Sequence, residues 1–295
     1  MFKKLLRAGA ALGLALLPFT AHAQEVRDAD PALWVVKDKD TTIYLFGTVH
    51  VLKPGLSWFD EAVRKAFDAS GEVVLEMLQP DPAAMQALIL KTAVNQTGPS
   101  LPDRLPEPDR APFAKAVADL GMPAGALDRF DPWFAATNLQ LIPLMKLGYD
   151  PASGAEKAIT DAATAAGKPV IGLETAEQQI GYLDGLSEPA QVKFLTETVK
   201  EMGSIGTTID KMVVDWSAGD ADALAVTLNE SMRESPEVAK VLLTDRNIRW
   251  ADWIQARMAK PGTVFVAVGA GHLAGSDSVQ VQLGKRKLTA TRVAY

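Results

Sequence analysis

Two stretches of β character, one near each end of the chain, run into the same four-residue frame. Thr42-Ile43-Tyr44-Leu45-Phe46 leads into Gly47-Thr48-Val49-His50, and Thr263-Val264-Phe265-Val266-Ala267-Val268 leads into Gly269-Ala270-Gly271-His272. Short apolar runs of this kind are strands buried on both faces, which is how the strands of a parallel sheet read. The chain has three histidines, and the third, His22, lies in the N-terminal segment considered next. With glycine at about 7% of an average sequence, both frames carry glycine three residues before the histidine by chance in roughly 0.5% of cases. An imidazole just past a buried strand, on a loop that glycine lets bend, is where α/β enzymes keep reactive groups.

The N-terminus reads as a secretory signal peptide. Lys3, Lys4 and Arg7 form a basic head, Ala8 to Phe19 an apolar run, and Ala21-His22-Ala23 a cleavage site, with the cut expected after Ala23. The run is too short for a transmembrane anchor, and the chain contains no cysteine for lipid attachment, disulfides or thiolate chemistry. Residues 1–23 are therefore expected to direct export to a bacterial periplasm, and residues 24–295 to form a single domain with no integral membrane segment. The formal charge of the whole chain is −6. Three cations leave with the peptide, so the mature protein stands at −9, which argues against nucleic acid or an anionic membrane surface as partner.

Along the mature chain, Trp34-Val35-Val36 and Thr41 to Phe46 read as strands around a charged turn. A helix with Ser57 as its N-cap is expected to reach Ala69, followed by a strand from Glu72 to Met77. Asp81-Pro82 and Asp131-Pro132 each place an acidic cap before a proline at the first helical position. Asn95 to Pro112, rich in Pro, Asp, Arg and Gly, reads as the loosest region. Val170 to Glu174 is a further strand, and Ala176 to about Lys260 is helical, with breaks near Ser187, Gly203, Gly219 and Ser235-Pro236. A helix from Ser276 to Leu283 and a strand from Leu288 to Val293 close the chain. The expected fold class is α/β: a mostly parallel central sheet with helices on both faces. Residues 95–260 form a large helical insertion or cap, apart from the strand near 169–174.

Besides the two Gly-x-x-His frames, two strands end in Leu-Glu: Leu75-Glu76 and Leu173-Glu174. In an open parallel sheet all four ends lie along the carboxyl edge, where ligands bind. Two imidazoles and one or two carboxylates suffice for a catalytic divalent metal, with zinc, manganese, iron and cobalt all compatible with nitrogen and oxygen ligands. Each residue also has a plainer reading. A single histidine after a strand is usually a loop or core residue, Glu76 can be an edge charge, and Glu174 can be the first-turn acid of the helix after it. Arg246 and Asn247, on a helical stretch ahead of Trp250 and Trp253, can reach into a site as oxyanion donors or lie on a solvated face. The sequence contains no Gly-x-Ser-x-Gly elbow, no His-Glu-x-x-His helix and no Walker loop.

These residues also carry a resemblance. Gly47-Thr48-Val49-His50, Glu76, the stretch from Gly148-Tyr149-Asp150-Pro151 to Val170-Ile171-Gly172-Leu173-Glu174-Thr175, Asp245-Arg246-Asn247 and Val268-Gly269-Ala270-Gly271-His272-Leu273 resemble the TraB/GumN family, in order, from about Ala32 to the C-terminus. That family is similar to the Tiki metalloproteases and, more distantly, to the erythromycin esterase and ChaN haem-binding group. The resemblance implies an erythromycin-esterase/ChaN-like α/β core and a divalent-metal hydrolase site built from His50, His272 and Glu76. It also implies that Arg246 and Asn247 lie near that site. One departure is Asp245, where Glu often precedes the Arg-Asn pair.

The resulting expectation is a periplasmic metal-dependent hydrolase, a peptidase with a peptide or protein substrate. His50, His272 and Glu76 would bind the metal, Glu174 or Glu76 would activate water, and Arg246 or Asn247 would steady the oxyanion. The alternatives are a haem or metal carrier that uses the same histidines without turnover, and an inactive interaction scaffold.

Overall fold

The structure is a computed structural model that describes residues 26–232 and 234–295. The signal-peptide reading of residues 1–23 lies outside the described residues. The strands are β1 (Arg27–Asp28), β2 (Leu33–Lys37), β3 (Thr41–Thr48), β4 (Leu56–Ser57), β5 (Glu72–Met77), β6 (Val170–Glu174), β7 (Gly262–Gly269) and β8 (Thr291–Arg292). Six of them form one sheet in the order β6-β5-β7-β3-β2-β8, while β1 and β4 make a separate two-stranded pair.

The two apolar runs that lead into the Gly-x-x-His frames lie side by side. β3 and β7 pair in parallel over their whole length, from Thr41 opposite Gly262 to Thr48 opposite Gly269. β5 runs parallel to β7 and to β6. Only the β2 side departs, with β2 antiparallel to both β3 and β8. The sheet is therefore mixed with a parallel centre, and the carboxyl ends of β3, β5, β6 and β7 share one edge.

Helices cover both faces, which is why the central strands carry apolar residues at consecutive positions. On one face, Phe46, Val73, Leu75 and Phe265 pack against α1 (Glu61–Ala69) through Val63 and Phe67. On the other, Ile43, Leu45, Val74, Val264 and Val266 form a second cluster. Between β5 and β6 lie α2 (Pro82–Thr92), α3 (Leu101–Arg104), α4 (Glu107–Asp119), α5 (Pro132–Lys146) and α6 (Ala155–Ala165). Between β6 and β7 lie α7 (Ala176–Asp184), α8 (Glu188–Glu201), α9 (Ile205–Ser217), α10 (Ala221–Met232), α11 (Pro236–Ala239) and α12 (Asp245–Arg257). A π-helical turn at Lys240–Thr244 joins the last two, and α13 (Val279–Lys285) follows β7. Ile159 of α6 joins the first cluster, while Trp250 and Ile254 of α12 and Leu283 of α13 join the second. The insertion has a core of its own, where Leu101, Phe113, Leu139 and Leu195 are buried together.

Three local expectations are corrected. Asp60, not Ser57, takes the N-cap position of α1, and Ser57 lies in β4 with its hydroxyl donating to Asp60. Asn95 to Pro112 is not loose, since it contains α3 and the start of α4. Pro102 and Pro108 sit in first turns, where no backbone N–H is needed, and Leu101 and Leu105 are buried beneath them. The closing strand pairs only over Thr291–Arg292.

Candidate functional site

Two glycines bring the histidine frames together. A side chain on Gly47 would lie 3.0 Å from the Cα of Ala270, so the end of β3 and the turn after β7 meet only because position 47 has none. At Gly269 a Cβ would lie 3.0 Å from Glu76 Oε1, 3.5 Å from His50 Nε2 and 3.6 Å from His272 Cδ2. Three side chains from three separate strand ends thus converge on one point above Gly269.

His272 is 5% exposed and fixed at both ring nitrogens. Its Nδ1 lies 2.6 Å from Asn247 Oδ1, while Asn247 Nδ2 donates to the carbonyl of Asp277 at 2.9 Å. The amide oxygen therefore faces the ring, so Nδ1 carries the proton and Nε2 keeps the lone pair. That lone pair accepts from Arg246 Nη1 at 3.1 Å. Trp250 packs against the ring at 4.3 Å between centroids. Burial strips the imidazole of water and outweighs the attraction of Glu76, which brings its pKa down to about 3 and leaves the ring neutral at neutral pH.

His50 reaches solvent, with 68% of its side chain accessible. Its Nδ1 meets Glu156 Oε1 at 2.6 Å, and Thr48 donates its hydroxyl to the same oxygen. Desolvation works against the imidazolium, but the Glu156 bond and the charges of Glu156 and Glu76 outweigh it, lifting the pKa to about 9. Glu156 is held below the usual carboxylate range: burial opposes its charge, and its bonds to His50 and Thr48 prevail.

Glu76 is buried at the end of β5. Its Oε1 accepts the Gly269 N–H at 2.6 Å, and its Oε2 accepts Arg246 Nη2 at 2.6 Å and Gln179 Nε2 at 3.2 Å. Burial alone would raise its pKa, yet attraction to His272 when that ring is protonated, and to Arg246 and His50, brings it down to about 2. Glu174 is saturated. It accepts from Arg246 Nε at 3.1 Å and Nη2 at 2.8 Å, from Trp250 Nε1 at 3.0 Å, from Gln179 at 3.2 Å and from Tyr182 at 3.3 Å.

All six residues singled out in the sequence meet at this edge, in differing circumstances. Asn247 has both ends of its amide engaged, the oxygen by His272 and the nitrogen by the Asp277 carbonyl, and Glu174 anchors Arg246. Glu156, Gln179 and Tyr182 were not singled out. Only the fold reveals Glu156: α6 approaches the end of β3 so closely that a side chain on Gly154, two residues earlier, would collide with the His50 carbonyl.

The donor chemistry suits a divalent ion in kind, once the His50 imidazolium gives up its Nε2 proton: two imidazoles whose Nδ1 atoms are tied to a carboxylate and an amide oxygen, plus one carboxylate. Among the described residues, however, no three His, Asp or Glu side chains are disposed to close on an ion. The guanidinium of Arg246 takes that place, bridging His272 and Glu76. Among the described residues no helix is long and apolar enough to cross a membrane.

A model of the TraB/PrgY/gumN family matches residues 32–292. The uncharacterized protein YbaP of Escherichia coli K12 is 28% identical over 184 residues, covering 62% of this chain and 68% of its own. An uncharacterized protein of Treponema pallidum is 21% identical over 301 residues, covering 93% of this chain and 89% of its own. No solved structure matches the chain.

Proposed function

Because the chain belongs to the TraB/PrgY/gumN family, we propose that it is a hydrolase of the bacterial periplasm that cleaves peptide bonds with the help of a divalent ion. The observation that carries this reading is the convergence of Glu76 Oε1 and the rings of His50 and His272 on the point above Gly269. The peptide-bond assignment follows the resemblance of the motifs to those of the Tiki metalloproteases.

His50, His272 and Glu76 would hold the ion, with zinc, manganese, iron and cobalt all suited to the donors. Bound there, it would lower the pKa of a water and polarise the scissile carbonyl. The remaining work belongs to the chain. Glu156 and Asn247 fix the two rings through Nδ1. Arg246, kept in place by Glu174, presents a permanent positive charge to the oxygen on which negative charge develops. Glu76 lies at the reacting point and would serve there as a ligand of the ion or as the acceptor of a proton from water. His50, the accessible member, borders the approach of substrate.

The test is cleavage of a peptide library by the purified mature protein, with metal analysis, beside a His50→Ala/His272→Ala double variant. The wild type is expected to cleave and to carry about one ion per chain, and the variant to lose both. Equal cleavage and equal metal content in the two proteins would end this reading.

A further inference from the structure

The neutral imidazole of His272 has one lone pair to give. Asn247 fixes the proton on Nδ1, so that lone pair is on Nε2, and Arg246 Nη1 occupies it at 3.1 Å. A metal would bind the same lone pair at about 2.0–2.1 Å, so the guanidinium and an ion cannot share it. The same side chain also holds Glu76 Oε2 through Nη2. Its other contacts are those of Nε and Nη2 to Glu174 and of Nη1 to the carbonyl of Leu242 at 3.2 Å.

From this geometry, and resting on the divalent-ion reading above, we propose that Arg246 is the resident counter-ion of the site and that a divalent ion binds only by displacing it from His272 and Glu76. The two functional bonds break together, because they leave from the two ends of one planar group. The bonds to Glu174 persist and act as the pivot, so the cation is set aside within the site rather than expelled. Arg246 thereby sets the affinity for the ion. It weakens binding in proportion to the bonds it must surrender, and it keeps Glu76 and Glu174 from facing each other as unpaired buried charges in the ion-free protein.

The test is calorimetric titration of the mature, chelator-stripped protein with zinc and, separately, manganese, in the wild type and in Arg246→Lys. Lysine keeps a positive charge for Glu174 but is too short to reach His272. Its binding is expected to be at least about 10-fold tighter than wild type, because the Nε2 lone pair is free. Equal or weaker binding by a folded Arg246→Lys protein, with the wild type binding normally, overturns the exchange and leaves the divalent-ion reading intact. No uptake of either ion by either protein overturns both. If the lysine variant does not fold, the wild type gives the answer through ¹⁵N spectra of the Arg246 guanidinium during zinc titration. The Nη resonances are expected to shift as the bonds to His272 and Glu76 are lost, and unchanged resonances at saturation overturn the exchange.

Discussion

Gly269 has no side chain because three functional ones use the space. A methyl group there would sit 3.0 Å from Glu76 Oε1 and press on both imidazoles. Gly269→Ala is therefore expected to reduce cleavage by at least about 10-fold, with the loss mainly in kcat, as measured by steady-state kinetics. Glu156→Gln keeps the shape but removes the charge that holds His50, and a loss of about 10- to 100-fold in activity or metal affinity is expected. Full activity in Glu156→Gln would show that His50 needs no orienting carboxylate. Residues on the strand ends were legible in the sequence because strand, glycine and reactive group follow one another in the chain. Glu156 was not. In Ala155-Glu156-Lys157 it reads as an ordinary acid in the first turn of an alanine-rich helix, and only the approach of α6 to the 48–50 turn gives it a partner. Gln179 was hidden in the same way, as one polar residue on a polar helix.

Elements position these groups, and the short helix α7 does so for two of them. Thr175 and Gln178 close a capping box at its start, and the helix then presents Gln179 and Tyr182 to Glu174. Thr175→Ala is expected to lower stability by about 1 kcal/mol in urea unfolding, with a smaller proportional loss of activity than either substitution above. At this scale the sequence was most legible where periodicity and punctuation agreed. The strand Glu72–Met77 and the Asp-Pro starts of α2 and α5 stand as read. It was least legible in Asn95–Pro112, where turn-forming composition concealed prolines that begin helices. What decides that segment is burial of Leu101 and Leu105 against α4 and α5, a tertiary contact that local composition does not encode. The π-helical turn at Lys240–Thr244 was likewise invisible, although its Leu242 carbonyl receives Arg246.

At the scale of the whole molecule, the parallel centre of the sheet is what turns sequence-distant motifs into neighbours. β3 and β7 end in register, so the residues that follow them share one edge. The parallel centre with its two covered faces was readable from unbroken apolar runs, and the β2–β3 hairpin from the charged turn between its strands, whereas the antiparallel pairing of β2 with β8 rests on only two residues. Burying the site also gives the fold a pH dependence. His272 falls from 6.5 to about 3 on folding and Glu76 from 4.5 to about 2. Both make the fold lose stability as pH drops, His272 below 6.5 and Glu76 below 4.5. His50 rises from 6.5 to about 9, so its contribution is complete below 6.5 and is lost as pH climbs to 9. The Tm of the metal-free protein is therefore expected to peak near pH 6.5. His50→Gln should flatten the alkaline limb and His272→Gln the acid limb, and a scan in which neither variant changes its limb would contradict these assignments.

The most direct measurement is a double-mutant cycle on peptide cleavage with His50→Ala, His272→Ala and the pair. Two groups serving one reacting point fail as a unit, so the double variant is expected to be no slower than the slower single variant, within a factor of about three. Losses that multiply, each histidine contributing its full factor regardless of the other, would mean that the two frames do not form one site.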